Sequence, residues 1–180
     1  MAEMPRLRVA TLDDAGAIVA LEKAAIAALF GAFYDEAQTA ASVVYVAHVD
    51  PVLLGDGTYF VIEDDTGAVA CGGWSRRGKL YTGSGDAADD ERLIDPATEP
   101  ARVRAMFTRP DRVRQGLGTR ILEACEAAAK AEGFRELILV ATLAGVPLYK
   151  HFGFAEVEQR PVTMPDGTTI EAVVMTRPIA

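Results

Sequence analysis

Apolar residues recur at Ala15, Ile18, Val19, Ile26, Leu29 and Phe30. That spacing lays one stripe along a helix. Thr11 precedes the stripe as an N-cap, with Asp14 three residues on in the capping position, so the pattern predicts a helix ending near Gly31. A short strand is expected over residues 6–10 and a second helix over 35–46. Residues 58–63 hold Tyr59, Phe60, Val61 and Ile62, all strand formers. The turn residues Asp64-Asp65-Thr66-Gly67 follow, and 68–75 reads as the return strand of an antiparallel hairpin.

Residues 78–100 break the pattern. Gly83, Gly85, Pro96 and Pro100 punctuate them, and Asp86, Asp89, Asp90, Glu91, Asp95 and Glu99 charge them. The expectation is a long exposed loop, with Gly83-Ser84-Gly85 as linker. A strand is expected over 101–108, then a Gly-containing turn at 114–118. A helix over 119–132 follows, apolar at Ile121, Leu122, Cys125, Ala128 and Ala129 and stopped by Gly133. Residues 137–142 are almost continuously apolar, as expected of a strand covered on both faces in a parallel strand–helix–strand unit. A short helix over 146–152 ends at Gly153. A closing hairpin runs from 155–162 through Pro165-Asp166-Gly167 to 169–176.

At 180 residues, half of them apolar and 24% charged, the chain is expected to form one domain over 1–180. Intrinsic disorder is excluded as the dominant state. Against 26 acids stand 18 Lys and Arg, for a net charge of -8. This argues against nucleic-acid partners, which call for an excess of basic residues. Cys71 and Cys125 make neither a disulfide framework nor a metal-ligand cluster, so no metal is expected. No apolar run is judged long enough to span a membrane, and the first eight residues lack the core of a signal peptide. A cytoplasmic location and no membrane partner are therefore expected.

The charge is unevenly spread. Residues 101–120 hold six arginines (102, 104, 109, 112, 114 and 120) and one acid, Asp111. They surround the turn Arg114-Gln115-Gly116-Leu117-Gly118 at a helix start, where free N–H groups attract phosphate. Glycines there let backbone approach an anion closely. Neither the Gly-Lys-Ser/Thr of a Walker loop nor the third glycine of a dinucleotide fingerprint is present. A tight turn with solvated arginines is the competing reading.

The segment Thr108-Arg109-Pro110-Asp111-Arg112-Val113-Arg114-Gln115-Gly116-Leu117-Gly118 resembles strand 4 and the pyrophosphate loop of the acetyl-CoA-dependent N-acetyltransferase superfamily, GNAT. The stretch Val146-Pro147-Leu148-Tyr149-Lys150-His151-Phe152-Gly153-Phe154 is similar to its short helix with a tyrosine before Gly-Phe. The resemblance is strongest over 101–154 and covers the N-terminal half only in element order. It implies a mixed α/β fold. Its sheet would be mostly antiparallel, with strands 4 and 5 parallel and splayed and helices on both faces. Acetyl-CoA is then the implied cosubstrate, with its pyrophosphate on Gln115, Gly116, Leu117, Gly118 and Thr119 and added charge from Arg114. Its pantetheine arm would pair with Met106, Phe107 and Thr108 like an extra strand. Val113 and Thr142 depart from the family pattern, which more often has Gln or Arg and Asn there.

Acyl transfer to an amine needs a base, an oxyanion donor and an acid for the thiolate. The resemblance implies that Tyr149 is the acid; on position alone it is a packing aromatic. The base is left unassigned among Glu63, Asp64, Glu99, His48 and His151. Cys125 is expected in the core, and Cys71 as core rather than an acyl carrier. Trp74 and Tyr81 are candidates for an acceptor pocket. The expected partner is a small-molecule or protein amine, with a homodimer possible through an exposed final strand. The alternatives are a non-catalytic acyl-CoA sensor of the same fold and an unrelated phosphate-binding α/β domain.

Overall fold

The computed structural model describes residues 3–81 and 87–180. Gly83, Ser84, Gly85 and Asp86, part of the expected linker and acidic run, lie outside the described residues. Strand β1 (Arg6–Val9) leads through a 3₁₀ turn into α1 (Ala15–Leu29), then α2 (Glu36–Tyr45) and α3 (Pro51–Asp56). The hairpin β2 (Tyr59–Asp64) and β3 (Gly67–Ser75) follows, then the short α4 (Ala87–Glu91) and β4 (Ala101–Thr108). The remaining elements are α5 (Leu117–Ala131), β5 (Glu136–Thr142), α6 (Val146–Phe152), β6 (Ala155–Gln159), β7 (Val162–Thr163), β8 (Thr169–Ile170) and β9 (Ala172–Pro178).

Local chemistry explains most boundaries. The Thr11 N–H donates to Asp14 at 2.8 Å, and Asp35 caps α2 by accepting from the Gln38 N–H at 2.7 Å. Asp50 caps α3 by accepting from the Val52 N–H at 3.0 Å, with Pro51 in the first turn. This third helix was not expected. Gly153 ends α6 with φ of 111°, a left-handed stop that glycine adopts without a Cβ penalty.

Among the described residues seven strands form one sheet in the order β1-β2-β3-β4-β5-β9-β6, and β7 and β8 form a separate ribbon. All pairings are antiparallel except β4 with β5, as expected. Phe60 and Ile62 point to a core shared with α5. Tyr59 and Val61 point to the opposite core, shared with α1 and α3. Period-two alternation along β2 thus feeds helices on both faces.

Three expectations need correction. The final strand β9 lies between β5 and β6, paired on both sides, so it has no open edge. The edges are β1 and β6, and all five residues of β6 are exposed. The stretch 78–100 is not simply an exposed loop. It contains α4, buries Ile94, and ties back through Gly78 N–H to Arg92 C=O at 2.9 Å and Ile94 N–H to Arg76 C=O at 2.9 Å. Finally, Leu12–Ala32 has the length and mean hydropathy, 1.7, of a membrane span. Here Ile18, Leu21, Glu22, Ala25 and Ile26 are buried and α1 packs that face on β3 and β4.

Candidate active site

Strands β4 and β5 pair only at Ala101–Leu137 and Arg102–Ile138. Beyond that they diverge, whereas β5 stays paired with β9 along its whole length. The divergence begins beside a bulge. Register against β3 slips between Cys71 and Gly73, opposite residues 104–107, and Ala105 takes φ of 52°. A non-glycine residue in the left-handed region is uncommon and strained. Gly72 makes room for the bulge, since a Cβ there would stand 2.3 Å from Met106 Sδ.

The gap opens into a cavity of about 550 Å³. Its walls include Val103, Arg104, Ala105, Met106 and Phe107 from β4 and Leu139, Val140 and Thr142 from β5. Tyr45, His48 and Asp50 border it from the α2–α3 segment, and Met164 and Ile170 from the small ribbon. Of the residues expected in the site, Met106, Phe107 and Tyr149 therefore share one cavity, while Thr108 continues β4 outside its lining.

Gln115 and Gly116 are exposed at the start of α5, and Gly116 adopts φ of 78°. The Arg120 N–H bonds to Gly116 C=O, so the amides of Leu117, Gly118 and Thr119 open the helix without an i−4 partner. Such an end suits an anion. The two glycines differ in role. Gly116 supplies the left-handed turn, whereas a Cβ at Gly118 would meet Leu148 Cδ2 at 2.7 Å, so Gly118 lets α5 approach α6.

The arginine cluster is less available than its sequence density suggests. Arg104 pairs with Asp50, Arg109 with Asp111 and Arg112 with Asp64. Arg102 donates to the carbonyls of Gly78 and Pro100, and Arg120 to that of Pro5. Among the described residues only the Arg114 guanidinium of the six has neither a side-chain nor a backbone partner, and Arg114 is exposed at the helix start with φ of 62°.

Tyr149 is buried against Phe154 in an edge-to-face contact at 5.7 Å, and its ring fills the space beside Gly145. Burial, with Cys125 as a lesser cause, pushes its phenol further up, so it is protonated at neutral pH. None of the three acids considered as bases lines the cavity. Glu63 is held by Arg6 and Arg8, Asp64 by Thr66 and Arg112, and Glu99 by Arg92. His151 is exposed on α6, away from the lining, whereas His48 lines the cavity and is exposed to solvent. Asp50 also lines it, but is engaged by Arg104 at 3.4 Å and Lys79 at 3.6 Å. Cys71 and Cys125 are fully buried with thiols pushed up by burial, so neither is a nucleophile. Trp74 packs on Phe134 at 5.8 Å and is core, not pocket; Tyr81 does line the cavity.

A sequence model described as an acetyltransferase (GNAT) domain matches residues 55–156. The chain is similar to a GCN5-related N-acetyltransferase from Rhodopseudomonas palustris, with 20% identity over 99% of this chain and 98% of that one and a TM-score of 0.73. It is similar also to the PaiA N-acetyltransferase of Thermoplasma acidophilum, solved in complex with coenzyme A, at 12% identity, 98% and 99% coverage and a TM-score of 0.67. A phosphinothricin acetyltransferase from Sinorhizobium meliloti, solved in complex with AcCoA, shares 20% identity over 99% of this chain and 90% of that one, with a TM-score of 0.62. At these identities the likeness is one of fold, while the family model covers more than half of the chain. With its splayed parallel strand pair and open helix start at the expected positions, this chain belongs to the GNAT acetyltransferase family.

Proposed function

We propose that the protein transfers an acetyl group from acetyl-CoA to a primary amine of a small molecule or protein, by direct attack in a ternary complex. The observation that carries this reading is an anion-ready helix start together with a gap in the sheet between β4 and β5. The α5 amides and Arg114 open the helix that follows β4, and the β4 residues beyond the splay line the cavity. Two of the fold relatives were solved with coenzyme A or AcCoA, which supports the same cosubstrate here.

In this reading Gln115, Gly116, Leu117, Gly118 and Thr119 hold the pyrophosphate through backbone N–H groups, with Arg114 adding charge. Met106, Phe107 and Thr108 lie on the part of β4 that β5 leaves without a partner, and that edge would pair with the pantetheine arm. Tyr149 donates a proton to the departing thiolate, a role that suits a phenol kept neutral by burial. His48 is the cavity-lining side chain suited to take the proton from the amine. The acceptor enters from the α1–α2 face, past apolar walls and the buried Arg104–Asp50 pair. We place the enzyme in the cytoplasm.

Thiol release from acetyl-CoA over a panel of amines tests the reading. Turnover with at least one amine class is expected, and Tyr149→Phe should lower kcat by about 10²-fold with acetyl-CoA affinity held within a factor of about two. Tight acetyl-CoA binding with no turnover on any amine would instead indicate a sensor. Equal activity in Tyr149→Phe would remove Tyr149 from the acid role.

A further inference from the structure

A carboxyl group lies inside the core behind the β4 bulge. Glu22 sits on the inner face of α1 with no exposed surface. Its Oε2 is buried without a hydrogen-bond partner, and its Oε1 lies 3.3 Å from the Tyr59 hydroxyl. Tyr59 is also fully buried, and its hydroxyl donates to the Ala105 carbonyl at 2.7 Å. The phenol has one proton, and the shorter contact takes it. Glu22 then serves as donor to the phenol oxygen, which requires its protonated form. Burial pushes its pKa up to about 8, so it holds that proton at neutral pH. The result is a chain of two bonds, from the Glu22 carboxylic O–H to the Tyr59 oxygen and from the Tyr59 O–H to Ala105 C=O.

The acceptor at the end of this chain is the strained residue of the bulge, Ala105 with φ of 52°. Such a conformation persists only where its surroundings over-determine it. The peptide from Ala105 to Met106 is trans. Its C=O and its N–H therefore point in opposite directions. Drawing the Ala105 carbonyl toward Tyr59, on the α1 face, turns the Met106 N–H away from that face. Ala105 and Met106 both line the cavity.

We propose that Glu22 and Tyr59 are positioning residues: they hold the β4 bulge so that the Met106 N–H is aimed at the thioester carbonyl oxygen of the cosubstrate. This rests on the acetyl-CoA reading above. Neither residue touches substrate; both act through the Ala105–Met106 peptide. The groups facing Glu22 are Tyr59 from β2, Cys71 from β3 and the backbone N–H of His48 from the α2–α3 segment. Arg104 of β4 acts on Tyr59. Cys71 and Tyr59 are both pushed up by burial, so Glu22 is the member of this group that ionises first as pH rises.

Tyr59→Phe removes the hydroxyl alone. Its kcat should fall by about 10-fold, less than deletion of an oxyanion donor, while KM for acetyl-CoA stays within about two-fold. The direct readout is the infrared carbonyl band of bound carbonyl-13C acetyl-CoA. Wild type should lower this band relative to the free thioester, and Tyr59→Phe should lose part of that shift. Glu22→Gln keeps a neutral donor to the phenol, so its kcat should match wild type near neutrality. Above about pH 8 the wild type should fall behind Glu22→Gln, because ionised Glu22 cannot donate. Deprotonation of the acceptor amine raises both enzymes equally and cancels in their ratio. An unchanged band and kcat in Tyr59→Phe would overturn the proposal. So would a wild-type to Glu22→Gln ratio that stays flat from about pH 6.5 to 9.5, a comparison that holds even if Tyr59→Phe fails to fold. Absence of any bound band in wild type would overturn the acetyl-CoA reading and this proposal with it; a band that Tyr59→Phe leaves in place overturns this proposal alone.

Discussion

Replacing Gly118 by alanine adds one methyl group between α5 and α6. The new Cβ would stand 2.7 Å from Leu148 Cδ2 and 3.4 Å from Cδ1. Carbon atoms prefer about 3.5–4.0 Å, so one contact is short by roughly 1 Å and the helices must part or Leu148 must turn. Overpacking of this kind costs about 1–3 kcal/mol. Relief of the glycine's poor helix propensity returns up to about 1 kcal/mol. The net loss is then about 0–3 kcal/mol, a fall in Tm of up to about 12 °C for a domain of this size. Leu148 immediately precedes Tyr149, so kcat in the thiol-release assay should fall as well. Leu148→Ala removes the obstacle. The double variant should therefore be more stable than the two single effects predict, by at least about 1 kcal/mol in a denaturation cycle, and should regain part of the lost kcat. Strictly additive stabilities, or a single variant that is stabilised and fully active, would refute the claim that Gly118 exists to let the two helices touch.

Three further outcomes follow from the same structure. Arg114→Glu places an anion where an arginine without a partner among the described residues stands, and should weaken acetyl-CoA binding by about 10-fold at low salt, less at high salt, with Tm nearly unchanged. Trp74→Ala empties a site with 2% exposure beside Phe134 and should cost about 3–5 kcal/mol by chemical denaturation; a loss under 1 kcal/mol would contradict the core placement. The third concerns acid. Hydrogen bonds from Arg8, with lesser help from Thr11, lower the Asp14 pKa to about 2. A carboxyl depressed in the folded state adds stability above its unfolded value near 4. That stability should fade as pH falls from about 4 to about 2. Asp14→Asn should therefore be less stable than wild type at pH 7, with the gap closing across that window; a constant gap in Tm would contradict the pairing.

Elements with local signals were legible in the sequence. β4 and α6 lie at the expected residues because one is bounded by turn chemistry and the other by Pro147 and Gly153. α2 was marked by Asp35, and the parallel relation of β4 and β5 by the apolar run after an amphipathic helix. What was not legible depends on distant partners. Six-residue α3 is too short to show periodicity, although Asp50-Pro51 carries the cap signal. Ile94 is buried because residues 92–94 lie back along Arg76–Gly78, an arrangement that nothing within 78–100 encodes. The arginine cluster looked like one anion site, but Asp50 and Asp64, some fifty residues upstream, take up two of its members. The bulge at Ala105 had no signal, since alanine is an unlikely residue for a positive φ and its hydrogen bond comes from Tyr59.

The family and fold position this chain as an acetyltransferase; the claim that remains most exposed to experiment is that acetyl-CoA lies across the α5 start and the β4–β5 gap. Titration calorimetry with acetyl-CoA tests it most directly. Saturable one-to-one binding with a micromolar Kd is predicted, weakened by Arg114→Glu. No heat of binding at micromolar concentrations, or a wild-type affinity that Arg114→Glu leaves untouched even at low salt, would contradict it.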